Sequence, residues 1–151
     1  MASDEEVIST LNNLIETCRD GQEGFRTAAE GVRSAELREL FHGYARQRAS
    51  FAGELQDEVR RLGGDPERTG SLVASLHRGW MGLRAALEGN DDRAVVGECE
   101  RGEGVALANY RAALDTDLHA NVRAMVERQF AEVKEAHNLI SNLDRRPGAG
   151  V

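Results

Sequence analysis

The chain has 151 residues, of which 40% are hydrophobic, 30% charged and only 5% aromatic, with two prolines. That length suits one domain with a proper core, and the scarcity of aromatics and prolines favours helices over a sandwich or barrel. A net charge of −7 argues against a nucleic-acid binder, which needs a basic stripe, and no apolar run nears the ~18 residues of a membrane span.

Ser3 to Glu6 is a capping box, in which the serine accepts from the backbone and the glutamate reaches back. This start is acidic and lacks the apolar stretch of a secretory signal. Val7, Ile8, Leu11, Leu14, Ile15, Cys18, Phe25, Ala29 and Val32 then recur at intervals of three and four, predicting a helix over 4–32. Gly21 and Gly24 each weaken that helix by up to ~1 kcal/mol relative to Ala, which suggests a close helix approach or a kink. Ser34 can cap a second helix over 34–62, with Leu37, Leu40, Phe41, Tyr44, Phe51, Leu55, Val59 and Leu62 on its stripe. Gly63-Gly64, with Pro66 just beyond, is a strong stop.

Ser71 can cap a shorter helix over 71–88, carrying Leu72, Val73, Leu76, Trp80, Leu83 and Leu87. Gly89-Asn90 ends it, and Asp91 or Asp92 starts a third long helix over 92–115 with Val95, Val96, Cys99, Ala106, Leu107, Tyr110, Ala113 and Leu114. Asp117 caps a fourth over 118–144, with Val122, Met125, Val126, Phe130, Val133, Ala136, Ile140 and Leu143; residues 147–151 read as a loose tail. Two tight hairpins therefore flank a long connector, whose helix spans ~25 Å at the usual rise, enough to cross most of a bundle. A single all-α domain over 1–146 follows: a ferritin-like four-helix bundle with one long crossover connection containing an extra helix.

Turning each residue by ~100° shows which polar groups face inward. Arg48 sits between Tyr44, Phe51 and Leu55, while Gln129 and His137 lie within the stripe of Val122, Val126, Val133 and Ile140. Gln22 and Glu103 occupy matching offsets in an internal echo, Cys18-x-x-Gly21-Gln22 and Cys99-x-x-Gly102-Glu103. Counted from one bundle end, Arg48, Glu103 and Gln129 fall at ~16–23 Å and Gln22, Tyr44 and His137 at ~10–15 Å, two adjoining layers of one polar core.

A ferritin-like di-iron centre needs a Glu from each of two helices and an inward Glu-x-x-His from each of the other two. This core offers one carboxylate, one histidine, two amides and an arginine that would repel iron and pair with Glu103 instead. The chain's Glu39-x-x-His42 points away from the stripe, and the fourth helix has Lys134 where the motif wants Glu. Two readings of the core follow: a buried network of Gln22, Tyr44, Arg48, Glu103, Gln129 and His137, or a weak iron or zinc site using Glu103 and His137. In the second, Glu16 and Glu23 join from a ribbon with Asn12 and Arg19 that otherwise reads as solvated, or as a face buried in a homodimer. Cys18 and Cys99 read as buried free thiols, and two cysteines without metal-like spacing suggest a reducing, cytoplasmic setting. Trp80 is the candidate anchor for a partner, against the plainer reading that it packs on its own bundle.

The stretches Leu11–Gly21, Gly24–Ala29, Leu76–Trp80, Glu98–Glu103 and Glu135–His137 resemble a bacterial family of ferritin-like four-helix-bundle proteins carrying a domain of unknown function. The resemblance spans about residues 5–144 and implies a ferritin-like bundle, a bacterial source and a cytoplasmic location, without an established activity, substrate or cofactor. Gln22 and Glu103 fall at the two single-Glu positions, one of them altered. The function expected is that of a non-catalytic, stress- or interaction-type bundle, a homodimer or higher homo-oligomer that takes no cofactor, nucleic acid or membrane. Iron handling with oxidase or peroxide activity is the alternative.

Overall fold

The first helix, α1 (Asp4–Gly31), begins where Ser3 supplies an acceptor: the Glu6 amide donates to Ser3 Oγ at 3.2 Å, and the Ser3 amide donates back to Glu6 Oε1 at 3.1 Å. The computed structural model describes residues 3–66 and 79–145 of the chain. A short turn leads to α2 (Ala35–Arg61), where Ser34 Oγ accepts from the Leu37 amide. This helix stops at Gly63, whose φ of +85° is left-handed and favours a residue without a Cβ.

The expected crossover helix is only partly within the described residues, and the part seen is not continuous through Trp80. Its first part, including Ser71 and Leu72 to Leu76, lies outside the described residues. Residues 79–82 form a turn, and helix α3 covers only Leu83–Glu88. The cause is Gly79, which sits at φ +84° and cannot continue a right-handed helix into Trp80. Next comes α4 (Asp92–Leu114), where Asp91 accepts from the Arg93 amide. The last helix, α5 (Ala120–Arg145), starts two residues later than the cap at Asp117 suggested. Among the described residues there are five helices and no strand, so the chain is all-α. None of these helices is long and apolar enough to cross a membrane.

Packing follows the connections. α1 runs along α2 and α4 along α5, α1 also lies against α4 and α2 against α5, and α3 rests on α4 and α1. The four long helices thus form a ring in which α2 and α4 are opposite one another. One apolar cluster gathers Val7, Leu11, Ile15, Leu55, Val122 and Val126. A second gathers Phe25, Phe41, Trp80, Val96, Cys99 and Ile140. Along α1 the change from one cluster to the other falls between Cys18 and Phe25, at the level of Gly21, where the buried Arg48 packs against the helix.

Candidate functional site

Arg48 of α2 and Glu103 of α4 are buried to 1% and 0% exposure. Arg48 Nη2 donates to Glu103 Oε2 at 2.6 Å, Nη1 donates to Oε1, and Nε donates to Gln47 Oε1 at 3.2 Å. A guanidinium fork on a carboxylate is the geometry in which two charges best offset their lost hydration. The Phe25 ring supports the guanidinium from one side, with its centroid 5.4 Å from Cζ. Gly21 makes room for the arginine stem, since a Cβ there would lie 3.3 Å from Arg48 Cγ. Burial pulls the Arg48 pKa down, but the charge and hydrogen bonds of Glu103 outweigh it and hold the group above its usual range.

A second set of hydrogen bonds starts at Cys18. Its thiol lies 3.1 Å from Tyr110 Oη, which donates to Gln129 Oε1 at 2.7 Å. With the phenol proton committed to the amide, the Tyr110 oxygen accepts from the thiol. Gln129 Nε2 then donates to Glu54 Oε1 at 3.0 Å and to the Phe51 carbonyl at 3.4 Å. Arg128 Nη2 closes the series on Glu54 Oε2 at 2.6 Å. The direction of donation runs from a buried thiol on α1 to a surface ion pair between α5 and α2, and it fixes which end of the Gln129 amide is oxygen.

Burial pushes the Cys18 thiol up to about 11 and Cys99 well above its ordinary range. Both stay protonated near neutral pH and make poor nucleophiles. Tyr110 is raised by burial and by Cys18 beside it. Tyr44 is raised too, chiefly by burial and then by the Glu103 charge. The central charges of Arg48 and Glu103 thus match one another, and the thiols and phenols beside them are held neutral.

The remaining candidates disperse. Gln22 is half-buried rather than interior, and Tyr44 is half-buried with its ring 5.3 Å from Phe25. His137 is half-buried at the α4–α5 seam near Glu100, to whose carboxylate Ser141 Oγ donates. Glu23 is exposed and pairs with Arg26, and Glu39 is exposed as well. Glu16 and Asn12, expected on a solvated ribbon, are buried within the single chain at 7% each. Asn12 shows one reason, since Nδ2 donates to the Asp65 carbonyl in the chain that leaves α2. Among the described residues, no group of three or more His, Cys, Asp or Glu side chains is placed to hold an ion, Glu103, His137, Glu16 and Glu23 included.

Trp80 is 8% exposed and turned inward, its ring edge-on to Phe25 at 5.1 Å, so it offers no free ring to a partner. Tyr110 lies on the predicted stripe of its helix but is not among the residues expected in the polar network. The available signal was its own chemistry: a tyrosine on a core stripe needs a partner for its hydroxyl, and Gln129 faces the same interior.

No curated protein matches the chain. Residues 6–116 match the family described as Domain of unknown function (DUF2383), a stretch that takes in all of α2, α3 and α4, nearly all of α1, and both Arg48 and Glu103. The match covers most of the chain, which therefore belongs to that family.

Proposed function

We propose that this protein is a ferritin-like four-helix bundle whose interior di-iron centre has been replaced by a buried polar network, and that it serves as a non-catalytic, stress- or interaction-type protein. The observation that carries the reading is the Arg48–Glu103 fork at the middle of the bundle. It sits where a di-iron centre would gather carboxylates, and the residues present do not fit such a centre. One inward glutamate is already neutralised by an arginine, a second expected position is Gln22, and the histidine lies off at the α4–α5 seam. A guanidinium held there by charge would have to leave before a cation could enter.

In place of metal chemistry, the network specifies the arrangement of the helices. Apolar stripes tolerate sliding and rotation, whereas a fork and a directed series of hydrogen bonds are satisfied in one register. The reading includes a bacterial, cytoplasmic protein that acts as a homodimer or higher homo-oligomer. Its test is elemental analysis of protein purified without chelators, followed by Fe(II) challenge in air and sedimentation analysis. Metal-free protein with an unchanged melting temperature and self-association is expected. Near-stoichiometric iron with a ferroxidase-type absorbance would overturn the replacement, and a strictly monomeric species would overturn the self-association.

A further inference from the structure

Trp80 occupies a notch that two helices leave for it. A Cβ built at Gly24 on α1 would lie 2.5 Å from indole Cδ2, and one at Gly102 on α4 would overlap the same ring. Neither helix can carry a side chain there while the ring is docked. Leu87 of α3 fills a similar notch at Gly31. Glycine within a helix is costly in itself, so these positions are explained by what they admit.

The ring also has a specific neighbour beneath it. Phe25 meets Trp80 edge-on at 74°, and Arg48 lies over that same Phe25 ring. Gly102 immediately precedes Glu103 on α4. A narrow cleft between α1 and α4, with room of only about 10 Å³ and lined by Thr17, Asp20, Gly21 and Asn109, reaches Glu103 with Trp80 as one wall. On this side the approach from solvent to the ion pair is closed by the indole, because the two helices present glycine where side chains would otherwise close it.

We infer that Trp80, with the 79–82 turn and α3, is the cover of the Arg48–Glu103 pair, so that docking of this segment and dryness of the pair are one coupled event. Undocking admits water and weakens the pair, and breaking the pair loosens Phe25, on which Trp80 rests. Such a linkage is reciprocal. It stands on the placement of Trp80 and does not depend on the ancestry of the fold.

The test uses Gly102→Ala, which puts a methyl group into the indole position while leaving Arg48, Glu103 and Phe25 intact. Two readouts are taken on the full chain with helix content checked by circular dichroism. One is the emission of Trp80, the single tryptophan. The other is modification of Arg48 by phenylglyoxal, followed by mass spectrometry of its peptide, with the exposed Arg60 and Arg84 as internal standards. The expected result is red-shifted emission and labelling of Arg48 at least about tenfold faster than in the wild type, as for a site whose protective opening has become easier.

Red-shifted emission with Arg48 as protected as before would overturn the linkage, and unshifted emission would overturn the notch. Should Gly102→Ala not fold, Trp80→Phe leaves the notch intact and only partly filled; Arg48 labelling is expected to rise, and no rise overturns the inference. In the reverse direction, Glu103→Gln is expected to increase acrylamide quenching of Trp80, and unchanged quenching in the folded variant would sink reciprocity.

Discussion

Arg48 and Glu103 meet across the interior from helices that stand opposite one another, so their fork joins two elements that do not pack side by side. Adjacent helices in this ring share the apolar clusters as well as polar contacts, whereas the diagonal is joined by this charge pair. A buried pair of this kind contributes little net stability over an apolar replacement, because desolvation cancels most of the attraction. Removing one partner is different, since it leaves an uncompensated charge in a dry core.

Glu103→Ala is accordingly expected to destabilise the fold by roughly 3–5 kcal/mol, measured by urea unfolding under circular dichroism. The double change Arg48→Met with Glu103→Leu is expected to recover most of that loss. A single-variant loss below ~0.5 kcal/mol, the size of an ordinary surface substitution, would show that the charge is not confined as described.

Tyr110→Phe removes the link between Cys18 and Gln129, leaving a buried amide oxygen and a thiol without their partner. The expected cost is about 1–3 kcal/mol, that of orphaning buried polar atoms. Stability matching the wild type in the same urea assay would mean that the hydroxyl contributes nothing to the interior.

Alkaline pH should weaken the protein in a defined window. Burial raises Cys18 to about 11 from an ordinary 9.0, and Cys99 and Tyr110 are raised as well. The unfolded chain loses these protons first, so the stability they contribute is complete below about pH 9 and drains away as pH rises toward 11. Cys18 alone accounts for roughly 3 kcal/mol of it, since each tenfold gain in proton affinity on folding is worth about 1.4 kcal/mol. Cys18→Ser, which removes a titrating group, should flatten the fall of the unfolding free energy between pH 9 and 11; an unaltered slope would place the alkaline transition elsewhere.

Asp92 at the start of α4 accepts from the amides of Arg33 and Ser34, each at 2.9 Å, and so ties one hairpin to the turn of the other. Its charge also lies at a helix N-terminus, where it is favoured. Asp92→Ala should cost about 1–3 kcal/mol, because two amides in the turn lose a charged acceptor. Asp92→Asn retains one acceptor and should cost less, and equal urea midpoints for the two variants would rule out the charge as the operative feature.

How much of this could be read from the chain depends on which neighbour decides each residue. The inward placement of Arg48, Glu103 and Gln129 follows from rotation about their own helices, and Gly21 and Gly24 announce close approach by their cost. Rotation does not show what approaches. That Gly21 admits Arg48 and Gly24 admits Trp80 depends on other elements, as does the burial of Asn12 beneath the chain leaving α2. Gln22 and His137 face inward by angle, yet both are only half-buried, because rotation about one helix does not show how far a neighbouring helix covers it. The helix expected through Trp80 is a turn over residues 79–82, because periodicity carries no information about the left-handed φ of Gly79.

The span of the Arg48–Glu103 fork also sets its place in time. The two residues are 55 positions apart, and they can meet only after both hairpins have formed, approached and closed a long loop. A contact that closes so long a loop is expected to form after the folding transition state and to act mainly on the reverse rate. Glu103→Gln should therefore steepen loss of structure in a denaturant jump while the refolding arm of the chevron hardly moves. The diagonal charge pair is a brake on coming apart rather than a guide to assembly.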